Sequence, residues 1–409
     1  MESDAHRAVE LAVRESYGRL VAFLTSRSRD VAAAEDALAE AFRNALETWP
    51  VVGVPREPEA WLLTVARRRL IDQGRHDRVR DNGAPSLLAA AEEAQEMASS
   101  PTGFPDDRLK LLFVCAHPAI DSTARTPLML QVVLGLDAAR IADAFLVRPT
   151  TMGQRLSRAK ARIRDAGIPF VVPEPADLPA RLDAVVEAVY AAYGSGWDDV
   201  AGLDTRRTGL ASEAIGLGRL LTRLMPSEPE VFGLVALMLH CEARREARRD
   251  AAGNYVPLSQ QDPSRWSRPM IDDAESYLRE AGAAGRVGRF QLEAAIQSAH
   301  AQRLRSGHTD WETIALLHEG LVAFAPTVGA RVARAAAVAE TRGPEAGWRL
   351  LEAIPRNDGA SYQPYWAVAA YLLRALGRTA EAVEAYGLAI GLCEDPGMRA
   401  WLRQQAPLH

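Results

Sequence analysis

The sequence predicts an all-α protein, and three observations carry that expectation. Alanine and leucine are abundant while β-branched and aromatic runs are scarce, a composition rich in strong helix formers. Apolar residues recur with a helical period in segment after segment. No alternation of strand-like and helical runs is visible, which argues against α/β folds. At 409 residues the chain is long for one core, so about two to four domains are expected.

Composition also narrows the function classes. The chain is 48% hydrophobic and 25% charged, as globular proteins are, with a formal net charge of -5. That balance argues against a chain that coats nucleic acid along its length, but it allows a local basic face. Cys115, Cys241 and Cys393 are far apart and odd in number, so neither a disulfide framework nor a metal knuckle is suggested, and a reducing cytoplasm fits. The start "MESDAHRAVELAVRES" lacks a signal-type apolar core. The most apolar run, "VFGLVALML" at Val231 to Leu239, is too short to cross a bilayer, so a soluble, unexported, cytoplasmic protein without membrane contact is expected.

The first domain, 1–80, contains three helical runs: "AVELAVRESYGRLVAFLTSRS", "DVAAAEDALAEAFRNALETWP" and "PEAWLLTVARRRLIDQGRHDR". The cluster "PVVGVPREP", Pro50 to Pro58, is expected to break the second run from the third. A polar stretch with Pro, Gly and Ser, acidic in its middle, occupies 81–105 and is expected to be a linker. Residues 106–168 follow with "DDRLKLLFVCAHPAI", "ARTPLMLQVVLGL" and "DAARIADAFLVRPTTMGQRLSRAKARIR", three or four short helices closed by the prolines of "GIPFVVPEP".

The rest divides into a helical extension, 169–290, and a repeat-containing segment, 291–409. Gly343 and Gly377 are 34 residues apart, as are Ala336 and Ala370, and this is the tetratricopeptide period. The last unit, "YWAVAAYLLRALGRTAEAVEAYGLAIGL", places Trp366, Ala370, Leu373, Gly377, Ala382, Tyr386 and Ala389 at the packing positions of such a repeat. Its small alanines let two helices approach, and Trp366 and Tyr386 fill the space between them. The run "WETIALLHEGLVAFAP", Trp311 to Pro326, fits the second helix of an earlier repeat; a generic helical array without ligand function would share these features.

The sequence carries none of the common catalytic signatures. No GxxxxGK[ST] loop, GxSxG elbow or HExxH helix occurs, and "GLGRLL" at Gly216 lacks a third glycine and a preceding strand. Cys115 and His117 have no second pair to complete a tetrahedral metal site. The neighbours His240, Cys241 and Glu242 point in different directions on a helix. No catalytic residue, metal or cofactor is expected, and the chain is read as a non-enzyme.

Nucleic-acid geometry remains. The stretch from Leu134 to Arg164 has the layout of a helix-turn-helix: a short helix with Ile141, Ala142 and Phe145, a tight turn at Leu146 to Pro149, then a longer helix. Thr150 is a plausible N-cap. Met152, Leu156, Ala159 and Ile163 recur at helical spacing and must face inward, leaving Thr151, Gln154, Arg155, Ser157, Arg158, Lys160 and Arg162 outward. Thr151, Gln154, Arg155 and Arg158, nearest the helix start, are candidates for base contact; Lys160, Arg162 and Arg164 are candidates for phosphate contact. A solvated basic helix looks similar, but 148–164 holds no acidic residue to pair these cations, which favours DNA. A second basic stretch, Ala66 to Arg80, ends a helix carrying Trp61 and suits unpaired bases and strand phosphates, although arginines at a helix end also complement its dipole.

In this order, the acidic amphipathic "AAAEDALAEAFRNALETWP", "PEAWLLTVARRRLID", a linker and "TMGQRLSRAKARIR", the chain resembles bacterial RNA polymerase sigma factors of the extracytoplasmic-function class in the sigma-70 family. The tail, with "GIPFVVP" and its tetratricopeptide-like repeats, resembles the subgroup of that class with a C-terminal extension. The resemblance implies that 1–80 is region 2, 106–168 is region 4, and core RNA polymerase and promoter DNA are the partners. It implies that Glu35, Asp36, Glu40 and Phe42 face the β′ clamp helices, with the β flap a further polymerase contact. The loop from Trp49 to Glu59, with Trp61, Arg67, Arg68 and Arg69, would melt and capture the minus-10 strand. The helix with Thr150, Thr151, Gln154, Arg155, Arg158, Lys160 and Arg162 would read the minus-35 element. The linker resembles the segment that such factors thread toward the RNA exit channel.

The expected function is transcription initiation: promoter recognition with core polymerase and no catalysis of its own, with the tail regulating activity or taking a protein ligand. Two modules on a linker can read two promoter elements at once. A stand-alone helix-turn-helix regulator with a repeat-based sensor is the alternative, and a protein-interaction scaffold is a third reading. The acidic helix and the Trp/Arg helix at 31–80 discriminate, since only the first reading uses them.

Overall fold

In the computed structural model the described residues are 2–78, 107–145, 147–197 and 205–407, and among them every regular element is helical. One isolated antiparallel bridge joins Arg249 to Tyr255. The expected linker, 81–105, lies outside the described residues. The chain divides into two compact units, Met1–Ser195 and Gly196–His409.

The first unit opens with α1 (Glu2–Ser28), α2 (Val31–Val52) and α3 (Pro58–Arg78). Asp30 starts α2 by accepting from the Ala33 amide, the N-cap contact that satisfies a first-turn donor. Val31, Leu38, Ala45 and Trp49 make the buried stripe of α2, against Leu20, Phe23 and Leu24 of α1 and Leu62 and Ala66 of α3. Ser16 and Arg19 of α1 hold Glu59 at the start of α3. Contrary to the expected break at Pro50, α2 continues to Val52 with the proline inside it. Proline removes one amide donor, but this near the helix end little ladder remains to be lost; Gly53, at φ 91°, ends the helix instead.

Next come α4 (Arg108–Cys115), α5 (Ser122–Leu134), α6 (Ala138–Ala144) and α7 (Pro149–Asp165). Asp121 caps α5, and Gly135 closes it in the left-handed conformation. Helices α6 and α7 pack as the helix-turn-helix pair, with Ile141, Ala142, Met152, Leu156, Ala159 and Ile163 all buried. Thr150 is not the N-cap. Arg148 holds that position with extended backbone and no side-chain bond, because Pro149 takes the first helical position, where its fixed φ suits the helix and its missing N–H is no loss. Thr150 follows it, exposed. The unit ends in α8 (Leu178–Trp197).

In the second unit α9 (Thr205–Leu224) precedes α10 (Pro229–Glu242), which carries the apolar run and is buried from Val231 to His240. A helix apolar all round belongs inside a core. Here α11 (Arg268–Ala283) and α12 (Arg289–Ala301) cover it, and Glu230 accepts from the Phe290 and Gln291 amides at the start of α12. The loop between α10 and α11 is built from short 3-10 turns. The remainder is an array of paired helices: α13 (Trp311–Phe324), α14 (Val328–Arg342), α15 (Pro344–Glu352), α16 (Gln363–Ala375), α17 (Thr379–Gly391) and α18 (Pro396–Gln405). Gly343 and Gly377 turn α14 into α15 and α16 into α17, both at positive φ, the one backbone state that makes glycine necessary there. Ala370, Leu373, Ala382, Tyr386 and Ala389 share one apolar cluster, with Trp366 packed on it.

Candidate nucleic-acid and polymerase interface

Packing decides which side chains of α7 reach water. Because Met152, Leu156, Ala159 and Ile163 anchor one face, Thr151, Gln154, Arg158, Arg162 and Arg164 are exposed and Arg155 is partly exposed. A cleft of about 490 Å³ runs between α7 and the start of α5, lined by Thr151, Arg155, Arg158 and Arg162 on one wall and by Asp121, Thr123 and Ala124 on the other. Three guanidiniums along one helix face make this cleft cationic. Arg155 and Arg162 donate weakly to the Thr123 and Ala119 carbonyls at 3.4 Å each, and Arg158 donates to Gln154 at 3.5 Å. These long contacts orient the forks without saturating them, since each guanidinium has five donors. Asp121 is the counterweight; its hydrogen bonds from Thr123 hold its carboxyl below the usual carboxylate range.

Lys160 does not share that face. Its Nζ lies 2.5 Å from Glu35 Oε2 on α2, with the two side chains only 15% and 10% exposed. Tyr17 of α1 donates to the other Glu35 oxygen at 3.2 Å. Burial pushes the Glu35 carboxyl up and the Lys160 ammonium partly offsets it. One turn further on, Arg164 lies 3.8 Å from Asp30. Thus a residue expected at DNA phosphate and a residue expected at polymerase occupy each other.

The four residues expected to face polymerase separate by burial. Asp36 is exposed and Glu40 partly so, bonded to Arg43, whereas Glu35 and Phe42 are buried. The signal for this lies in the α2 pattern: Glu35 and Phe42 are seven residues apart, within the stripe formed by Val31, Leu38, Ala45 and Trp49. On α3, Arg68 and Arg69 are exposed and Arg67 and Trp61 partly buried. At the end of α2, Val51 and Val52 are 80% and 73% exposed. Two consecutive valines held in water at a helix end form a small apolar patch of the kind that contact surfaces use. Sequence reading named this loop but not its valines, and it missed Tyr17 and Thr123, whose roles depend on helices far away in the chain.

Cys115 is wholly buried with its thiol pushed up by burial, and His117 Nδ1 accepts from the Ala119 amide at 3.1 Å. Among the described residues no group of three His, Cys, Asp or Glu could hold a metal ion, and no helix is long and apolar enough to cross a membrane.

Comparison with known proteins places these helices. Residues 12–80 match the sigma-70 region 2 family, which covers α2, α3 and most of α1, and supports a sigma-70 family sigma factor with a role in transcription initiation. Residues 181–282 match a family of unknown function, DUF6596. No solved structure matches the chain. Uncharacterized protein R00370 of Rhizobium meliloti (strain 1021) is 39% identical over 403 residues, 97% of this chain and 95% of its own length. The chain therefore belongs to the same family as R00370, with a first domain that matches sigma-70 region 2.

Proposed function

We propose that this protein is a sigma factor of the extracytoplasmic-function class that brings core RNA polymerase to promoters with minus-10 and minus-35 elements. The single observation that carries the reading is the joint presence, in one unit, of a sigma-70 region 2 match at 12–80 and a helix-turn-helix whose second helix exposes Thr151, Gln154, Arg155, Arg158 and Arg162. The exposed end of α7 supplies the forked donors that guanine edges and phosphates accept, and Arg162 and Arg164 continue the charge along the backbone path. Trp61 with Val51, Val52, Arg68 and Arg69 offers stacking, wedge and phosphate contacts to an opened strand. Asp36 and Glu40 present carboxylates to basic side chains of the β′ clamp helices. The helical pairs of 291–409 form a regulatory domain, with 169–290 joining it to region 4.

The test mixes the purified chain with bacterial core RNA polymerase and seeks co-elution and transcripts from the promoter upstream of its own gene. Promoter-specific transcripts that vanish when either element is scrambled support the proposal. DNA binding with no polymerase association would instead favour a stand-alone regulator.

A further inference from the structure

Between α10 and α11 the chain folds back on itself in a short hairpin whose antiparallel bridge joins Arg249 to Tyr255. The Asp250 amide donates to the Asn254 carbonyl at 3.0 Å and the Val256 amide to that of Arg248 at 2.8 Å, while Gly253 turns the tip at φ 82°. The Asp250 carboxylate accepts from the Ala252 and Asn254 amides and fixes the tip from inside. The base of the hairpin is tied down separately: Arg265 donates to the Glu246 and Arg249 carbonyls, and Arg303, next to α12, to those of Leu258, Ser259 and Gln261. The hairpin is therefore a preformed projection.

Its side chains meet a surface 146 residues further along the chain. Arg249 Nη2 donates to Asp395 Oδ2 at 2.8 Å, with the two side chains only 17% and 16% exposed, and the Tyr255 ring stands edge-on to Trp401, centroids 5.9 Å apart. That surface is built from the α17–α18 connection and α18 alone. Asp395 Oδ1 caps α18 by accepting from the Met398 amide, Arg399 holds the Cys393 carbonyl, and Trp401 rests on the apolar cluster of the last helix pairs. Gly397 leaves the space that the guanidinium fills, since a Cβ there would stand 1.9 Å from Arg249 Nη1. A carboxylate with one oxygen turned outward, a glycine floor and an indole make a seat for an arginine and an aromatic ring held side by side.

We infer that this seat is a protein-binding site, filled in the isolated chain by its own hairpin and open to a partner protein that presents a loop with an arginine beside an aromatic residue. Two features favour a replaceable occupant over a fixed staple. The hairpin base is anchored by Arg265 and Arg303, so its side chains can leave the seat without undoing that anchorage. Burying both charges offsets most of what their attraction returns, so exchanging Arg249 for another arginine is nearly neutral, whereas leaving Asp395 unpaired is costly. The seat thus demands an occupant more than it demands this one. A tethered occupant competes at an effective concentration of millimolar order, and only a partner that binds the vacated seat far more tightly than that shifts the population.

The probe is a fluorescein-labelled, head-to-tail cyclised peptide of residues 247–257, titrated against the full chain and followed by polarisation. Neither polymerase nor DNA enters the test. Wild-type protein should bind the peptide weakly. Arg249→Ala combined with Tyr255→Ala vacates the seat and should tighten binding about tenfold or more, because the tethered competitor is gone. Adding Asp395→Asn, which keeps a capping side chain and removes the charge, should abolish the gain. A control peptide with alanine at both positions should bind none of these forms. Gly253→Val strains only the tip, where φ is positive and no other atom lies within 4 Å of the added Cβ, so it loosens the hairpin with every contact residue intact. It should give an intermediate affinity, and it decides the question if circular dichroism shows the vacated form unfolded. Wild-type affinity in every folded variant would overturn the site and leave a structural staple. Dimerisation of Gly253→Val in light scattering would assign the seat to the hairpin of a second copy and overturn the partner reading.

Discussion

Trp61 stands edge-on to Trp49, their ring centroids 5.5 Å apart and their planes inclined by 66°. Trp49 is 1% exposed and locked in the α1–α3 core, while Trp61 lies partly in water on α3. The buried ring therefore sets the attitude of the accessible one, as edge-to-face packing allows. Trp49→Ala should lower the stability of the first unit by about 3–5 kcal/mol in urea unfolding, through a cavity at the centre of three helices. Trp61→Ala should lower it by only about 1 kcal/mol, yet reduce promoter opening, followed by permanganate reactivity of unpaired thymines. Equal stability losses would make Trp61 a core residue and no more.

The ion pair between Lys160 and Glu35 should behave as buried pairs do. Lys160→Met or Glu35→Leu alone leaves one charge without its partner and should destabilise the first unit by about 3 kcal/mol, whereas the two together should be near neutral. Since burial already raises the Glu35 carboxyl, Lys160→Met should be less harmful in acid. A raised folded-state value means that the contribution is present below the unfolded carboxyl's range and is lost as pH rises through the folded one. Denaturant midpoints of the four forms between pH 5 and 8 measure this, and additive single effects would refute a direct pair.

Arg155 and Arg158 line the cleft on α7 and have no acidic partner within that helix before Asp165. Alanine at either should reduce minus-35-dependent transcription about tenfold where a base contact is lost, while co-elution with polymerase is unchanged. Arg162→Ala should weaken promoter binding across sequences and lessen the salt slope by about one. Parallel loss of polymerase binding would show that α7 faces the enzyme and not DNA.

Acid should loosen the second unit before carboxylates titrate. His240 is buried, with neither ring nitrogen hydrogen-bonded, and burial, with Arg244 nearby, pushes it down to about 3. Glu275 stands 3.6 Å from its Nε2 but already accepts from Ser298 at 2.6 Å. Burial pushes His300 down to about 3, helped by Arg244, His318 and Arg303, and His318 down to about 4. Depressed values mean stability that is full above about pH 6.5, the unfolded value, and lost as pH falls from there toward the folded ones. Each histidine adds a slope of up to about 1.4 kcal/mol per pH unit in that window. Urea midpoints of the full chain at pH 7.5, 6 and 5 should fall in step, and a flat profile would contradict neutral burial.

Local pattern alone determined the helices and most of their inward faces. The helical spacing of Met152, Leu156, Ala159 and Ile163 named the buried face of α7, and the 34-residue spacing of Gly343 and Gly377 picked out two equivalent positions, which the structure places at turns with positive φ. Such features are legible because a helix face repeats every few residues and a left-handed turn admits few side chains. Tertiary structure alone decided that α2 runs through Pro50, that Arg148 and not Thr150 precedes the reading helix, and that Lys160 turns away from its neighbours to meet Glu35. Period and composition say how much of a helix is covered. They do not say by which distant helix, and a lysine between two exposed arginines becomes an ion-pair partner only when folding brings a carboxylate beneath it.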